Sequence, residues 1–168
     1  LVDILLKTPQ NMWIKYPFVF LQIASISILN GDKRLSEWGI EILNVLKEYY
    51  ENNHEIKFEN SREADLELRE RILAEIHIIH IFIVFNDAEM MVEHTKKALK
   101  LLKGNKSSVV LRESEFTFGS PHFLYSYYRE TGKLKETVNY MVEGFPLFTQ
   151  VSDGCGTGCE YITLAEYA

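Results

Sequence analysis

The chain is predicted to be all-α: antiparallel helix pairs stacked as a right-handed superhelix, an α-α solenoid of about seven to eight helices. Three observations lead there. Apolar residues recur at helical spacing over most of the chain, and no window keeps the two-residue alternation of a half-buried strand. Turn signals separate the long helical windows, at Asn30-Gly31-Asp32, Asn86-Asp87 and Thr131-Gly132. Several helices between those turns are apolar on more than one side, so each needs more than one neighbour. The only β-like run, Val109-Val110-Leu111, is too short to count.

The elements follow in order. Residues 1–7 read as the end of a helix, stopped by Thr8-Pro9-Gln10-Asn11. Tyr16-Pro17 opens a second helix to about residue 29, apolar nearly all round, in which Ala24, Ser25 and Ser27 are small enough for a close helix crossing. An amphipathic helix over 34–51 carries Leu35, Trp38, Ile42, Val45, Leu46 and Tyr49 on one face. Asn60 and Glu63 have capping-box spacing at the start of a long helix over 61–85. Its first half holds the i,i+4 pairs Asp65–Arg69 and Glu67–Arg71, and its second half is almost wholly apolar. Asn86-Asp87 breaks it, and a helix over 88–103 follows. Residues 104–119 lack helical period. Ser120-Pro121 suits a helix start, serine as N-cap and proline in the first turn, and predicts a helix over 120–130. Its partner spans about 134–151, with a kink or new turn expected at Pro146. A glycine-rich loop over 152–158 leads into a last helix from Cys159.

These elements group as helix pairs over 16–51, 61–103 and 120–151, with partial helices at 1–7 and 159–168, in one helical-repeat domain over 1–168. An apolar run at Leu1 and a helical pattern reaching Ala168 are what a piece of a longer protein would show. The turns lie farther apart than the ~34 residues of a strict tetratricopeptide repeat. The middle pair fits that repeat best: Phe82 stands four before the turn, Met91 takes the small-residue position and Ala98 follows seven later. The third pair offers Tyr128, with Thr137 and Gly144 in place of alanines, and the first offers Ala24. The pattern is a divergent tetratricopeptide-like one.

Composition narrows the function. The net charge is −6, whereas a nucleic-acid-binding face shows as a basic excess or stripe. Lys96, Lys97, Lys100, Lys103 and Lys106 read as a solvated face running into a helix C-terminus, where cations suit the helix dipole. No direct nucleic-acid binding is expected. Two cysteines are too few for a disulfide scaffold. No signal peptide is evident, and the most apolar run, 76–85, is about half the ~20 residues of a membrane helix. A cytoplasmic protein with no membrane partner is the expectation.

Several residue sets invite chemistry. His77-x-x-His80 has ligand-like spacing but apolar flanks and no H-E-x-x-H pattern, so hydrogen-bonded core or interface histidines are expected rather than a metal site. Cys155-x-x-x-Cys159 reads as packing at a loop–helix junction. Gly154-Cys155-Gly156-Thr157-Gly158 before a helix suggests a phosphate cradle, yet it lacks a lysine and a preceding strand and reads as a tight connector. Neither Ser120 with His122 nor Cys159 with Glu160 makes a catalytic set, because a base oriented by a third group is missing. No catalytic or metal site and no cofactor are assigned. The densest aromatic patch spans 115–128, where rings alternate with Thr117, Ser120 and His122. Apolar walls with a few polar groups describe a ligand pocket, and the same rings could equally be inter-repeat core. The candidate ligand- or partner-binding residues are Phe116, Phe118, His122, Tyr125, Tyr128 and Arg129.

The stretches 115–122 (Glu-Phe-Thr-Phe-Gly-Ser-Pro-His), 127–134 (Tyr-Tyr-Arg-Glu-Thr-Gly-Lys-Leu) and 154–161 (Gly-Cys-Gly-Thr-Gly-Cys-Glu-Tyr) resemble the helical-repeat region of MalT-like, LuxR-type bacterial transcriptional regulators. The resemblance covers roughly residues 16–168 and is clearest from Glu115 onward. It implies an effector-sensing, regulatory and self-association domain that is not an enzyme, with a small-molecule inducer or another protein as partner. It places ATP binding and DNA binding in flanking modules, in keeping with a chain that has no G-x-x-x-x-G-K-[ST] loop and no recognition helix. A tetratricopeptide-like protein-interaction scaffold is the alternative.

Overall fold

The computed structural model describes residues 6–29, 32–52, 62–84, 87–110 and 132–168. Among the described residues every regular element is a helix: α1 Gln10–Lys15, α2 Pro17–Leu29, α3 Lys33–Asn52, α4 Arg62–Ile83, α5 Ala88–Leu102, α6 Leu134–Val151 and α7 Cys159–Tyr167. The chain divides into two compact units, Leu1–Ile76 and His77–Ala168.

In the first unit α2 and α3 form the pair expected from their patterns. Helix α3 buries Trp38, Ile42, Leu43, Leu46 and Tyr50; the predicted Tyr49 is only half-buried, and its neighbour takes the core position. The small residues of α2 do mark a close crossing, and the residue that permits it from the other side is Gly39. A Cβ there would lie 3.0 Å from the Ala24 carbonyl oxygen and 3.0 Å from Ile28 Cγ1. Asp32 opens α3 by accepting hydrogen bonds from the amides of Arg34 (2.9 Å) and Leu35 (3.3 Å), which satisfies donors a helix start leaves unpaired.

The stop expected at Thr8 to Asn11 is instead the entry to a short helix. Six residues cannot hold a helix by propensity alone, and α1 is held by what it buries. Trp13 is 3% exposed, with its ring 6.3 Å from Phe20 and 6.3 Å, edge-on, from Trp38. Tyr50 Oη donates to the Ile14 carbonyl at 3.1 Å. Residues 1–5 of the helix expected over 1–7 lie outside the described residues, and Leu6 and Lys7 form a turn.

At the start of α4, Arg69 donates to the carbonyls of Tyr50 and Glu51 at the end of α3. Arg71, expected beside Glu67, carries its guanidinium over the Phe18 ring, 5.6 Å from the centroid. The Asn60 capping signal and the Asp65 side chain lie outside the described residues.

In the second unit Asp87 caps α5 through the Met90 amide at 2.9 Å, and Lys103 and Gly104 end it with left-handed backbone. Helix α5 packs along α6 so closely that a Cβ on Gly144 would fall 2.8 Å from Val92 Cγ2. Lys96 and Glu143 bridge the rim at 2.7 Å. Helix α6 continues through Pro146, so the new turn that the proline allows for does not start there. Pro146 is exposed, so its missing amide and ring face solvent, while Phe145, Phe148 and Val151 anchor the helix on both sides of it. Beyond α5 the chain returns to the end of α6. The Ser107 amide donates to the Val151 carbonyl at 2.8 Å and Lys106 Nζ to the Gln150 carbonyl at 2.7 Å.

No helix among the described residues is long and apolar enough to cross a membrane.

Candidate functional site

The six residues proposed to bind a ligand or partner, Phe116, Phe118, His122, Tyr125, Tyr128 and Arg129, all lie outside the described residues, as does the helix expected over 120–130. Four features of the described residues can be weighed instead: a histidine cluster, the cysteine loop, a notch between α5 and α6, and the outer face of α7.

The histidines of the His77-x-x-His80 pair do not act as a pair of their own. Both meet a third ring, His94 of α5. The Nδ1 atoms of His77 and His94 are 3.0 Å apart. The His80 ring stacks on His94 with centroids 5.2 Å apart and planes 10° from parallel. Parallel stacked rings send their nitrogens in parallel directions, whereas metal ligands must converge on one point. Among the described residues no group of three or more His, Cys, Asp or Glu is arranged to hold a metal ion. His94 escaped the sequence reading, although its position gave a signal. It lies three residues after Met91 and four before Ala98, both buried on the packed face of α5.

The glycine-rich loop is a connector built from left-handed residues. Asp153, Gly154, Gly156 and Gly158 all have positive φ, which lets the chain reverse between α6 and α7 in a few residues. Its hydroxyls are aimed at main-chain carbonyls. Ser152 Oγ donates to Phe148 O (2.7 Å) and is 3.1 Å from Cys155 O, Thr157 donates to Gly154 O (2.7 Å), and Thr163 donates to Cys159 O (3.1 Å). Cys155 and Cys159 are buried free thiols. Burial pushes the Cys159 thiol up to about 11, helped by Glu160 and Cys155, and pushes Cys155 up as well. Such thiols are poor nucleophiles and poor ligands near neutral pH. The packing role expected of them fits these surroundings better than redox chemistry does.

The notch between α5 and α6 is lined by Ala88, Met91, Thr95, Met141 and Phe145, with Tyr140 at its edge. Its interior is only about 10 Å³ as traced by the centre of a water-sized sphere, room for about one water and far from the ~300–1,000 Å³ of small-molecule sites. Burial and the carboxylates of Glu89, Glu136 and Glu143 push the Tyr140 hydroxyl up. Lys96 is likewise held charged to higher pH by its hydrogen bond to Glu143. Two of the five lysines of the basic stripe, Lys96 and Lys106, are therefore tied to α6.

The outer face of α7 exposes four large apolar side chains on one short helix. Cys159 and Thr163 turn inward, and Tyr161 (71% exposed), Ile162, Leu164 and Tyr167 turn outward. Helix α2, which has no charged residue over Pro17–Leu29, also leaves Val19, Ile26 and Leu29 exposed. A helix apolar nearly all round is expected to be buried between neighbours, yet among the described residues α2 leaves these three side chains exposed; the exposed face of α7 is not legible in the sequence, because nine residues hold too few turns to tell its faces apart.

No family model, curated protein or solved structure matches the chain.

Proposed function

We propose that this chain works by association: a tetratricopeptide-like helical-repeat module that joins copies of its protein through apolar helix faces. Its role would be the regulatory and self-association one implied by the resemblance to MalT-like, LuxR-type regulators. The observation that carries this reading is the outer face of α7, with four large apolar side chains in solvent on a nine-residue helix. Contiguous apolar surface of that kind marks an interaction site. The occupant proposed is a second copy of the chain. Each copy carries two such faces, on α2 and α7, and α2 has no charged residue over Pro17–Leu29, so it can cover the apolar side chains of α7 without adding a charge of its own. Stacked helix pairs cover one another's faces in this way. The inducer-binding part of the expectation rests on the aromatic patch over 115–128 and is not extended to the notch, which is too small.

The test is sedimentation velocity on the chain from about 5 to 300 μM, beside Tyr161→Lys/Leu164→Lys. The wild type is expected to associate with rising concentration, and the variant to stay monomeric with unchanged circular dichroism and Tm. Exposed positions change stability by only about 0.5 kcal/mol, so the variant should fold. A wild type that stays monomeric throughout, or a variant that associates as well as the wild type, defeats the proposal.

A further inference from the structure

We infer that copies of this chain join head to tail: α2 of one copy lies on α7 of another, and neither face pairs with its own kind. The inference rests on the self-association proposed above and adds which face must meet which.

Helical spacing defines the two faces. On α2, Val19, Ile26 and Leu29 are exposed, and steps of seven and three residues line them up on one side of the helix, away from buried Phe20, Leu21 and Ala24. On α7, Leu164 and Tyr167 are exposed, and they follow Glu160 at i+4 and i+7, so the three share a side. A contact that covers Leu164 and Tyr167 therefore takes in Glu160 as well.

Charge decides between the pairings. Cys159–Tyr167 contains Glu160 and Glu166 and no lysine or arginine, and the loop before it adds the exposed Asp153. Two α7 helices laid on each other would bring carboxylates from both copies to one contact with no cation from either helix, and like charges brought together are a penalty. Helix α2 has no charge of its own, and cations border it. Lys15 is exposed four residues ahead of Val19. Arg71 of α4 holds its guanidinium over the Phe18 ring, and Phe18 flanks the exposed stripe on the side of Leu29, eleven residues or three turns away. Beyond Leu29, Lys33 and Arg34 stand beside Glu37 and Asp32 and add no net charge. An α2–α2 contact would set the bordering cations of two copies against each other. The α2–α7 contact lays apolar side chains on apolar side chains and brings the acidic edge of one face to the basic edge of the other.

A contact between two different faces is heterologous: each copy offers one of each, and using one leaves the other for a further copy or for closing a ring. Two copies damaged on different faces can then still join once, through the α2 of one and the α7 of the other.

The test is sedimentation velocity on the full chain and on two variants, each alone and in an equimolar mixture, at concentrations where the wild type associates. Val19→Lys/Ile26→Lys alters side chains that are 56% and 64% exposed, and Tyr161→Lys/Leu164→Lys alters the other face. Lysines on both keep the two damaged faces from attracting each other. Each variant alone is expected to stay monomeric, and the mixture to form a 1:1 dimer and nothing larger. Circular dichroism checks the fold, and if the α2 variant loses it, Ile26→Lys alone takes its place. The inference is overturned, with self-association left standing, if the α2 variant alone associates as the wild type does, or if the mixture of the two stays monomeric. It is also overturned if the α7 variant alone associates, since α2 would then be pairing with α2. A wild type that never associates defeats the self-association reading itself, and this inference with it.

Discussion

Gly144→Ala tests whether α5 and α6 are pressed together as closely as described. The added Cβ would sit 2.8 Å from Val92 Cγ2, about 0.8 Å inside an ordinary carbon–carbon contact. Valine is stiff at χ1 in a helix and Val92 is buried, so relief requires the helices to part. Overpacking of this kind costs about 1–3 kcal/mol, against a helix-propensity gain of about 1 kcal/mol for replacing glycine. The net expectation is a loss of about 1 kcal/mol. Val92→Ala alone should cost about 2 kcal/mol, from the methyl groups removed and the space left. The double variant should cost less than the sum, because the new methyl enters the space that Val92 vacates. The coupling should be about 1–2 kcal/mol. Urea unfolding followed by circular dichroism, with m unchanged, measures all four corners of the cycle. If Gly144→Ala stabilises by the full propensity term, or the two changes simply add, then α5 and α6 do not meet at Gly144 and Val92 as described.

Two further predictions concern titrating groups. Burial and the neighbouring Tyr49 push Tyr50 up to about 12. The group is an acid with a raised folded value, so its contribution is complete below pH ~10 and is lost as pH climbs toward 12. Up to about 2 kcal/mol should disappear over that window. Absorbance at 295 nm should show one tyrosine ionising last and together with unfolding, and removal by Tyr50→Phe should eliminate that late step. Cys155 and Cys159, buried and raised, should resist Ellman's reagent at pH 8 in the native chain and react promptly in denaturant; prompt labelling with unchanged circular dichroism would contradict the burial.

The fold was legible where a long window carried one clear period. Helix α3 keeps an apolar stripe for five turns, and its predicted ends fall within a residue of Lys33 and Asn52. Asp32 and Asp87 were read as breakers, and both turn out to be caps, since the same short carboxylate that disfavours a helix interior satisfies a helix start. What could not be read depends on tertiary anchoring. Helix α1 exists because Trp13 is sandwiched between Phe20 and Trp38, which a local pattern does not encode. That α6 continues past Pro146 instead of starting a new turn was not legible, because sequence alone does not say that this face of the helix is solvent. The candidate site was harder. Two of the three clustered histidines were noted at i,i+3, and the third comes from another helix.

The same packing bears on what the chain can offer a partner. Near α7 the reactive groups are engaged at home: the hydroxyls of Ser152, Thr157 and Thr163 on carbonyls, and the two thiols in the core. The free energy left for binding on this face is apolar. Covering Tyr161, Ile162, Leu164 and Tyr167 would return about 1.5–3 kcal/mol each at most, so on the order of 10 kcal/mol for the face. Association itself costs about 4–15 kcal/mol in lost freedom of motion. The surplus is therefore small, and a single α7 contact should be micromolar or weaker. A contact that weak becomes useful when several act together, since linking two contacts makes the second intramolecular and raises avidity without any new surface. Under the self-association proposed above, each such face would be too weak to hold copies together alone, and a modest change in how many are presented would move the equilibrium between single copies and an assembly.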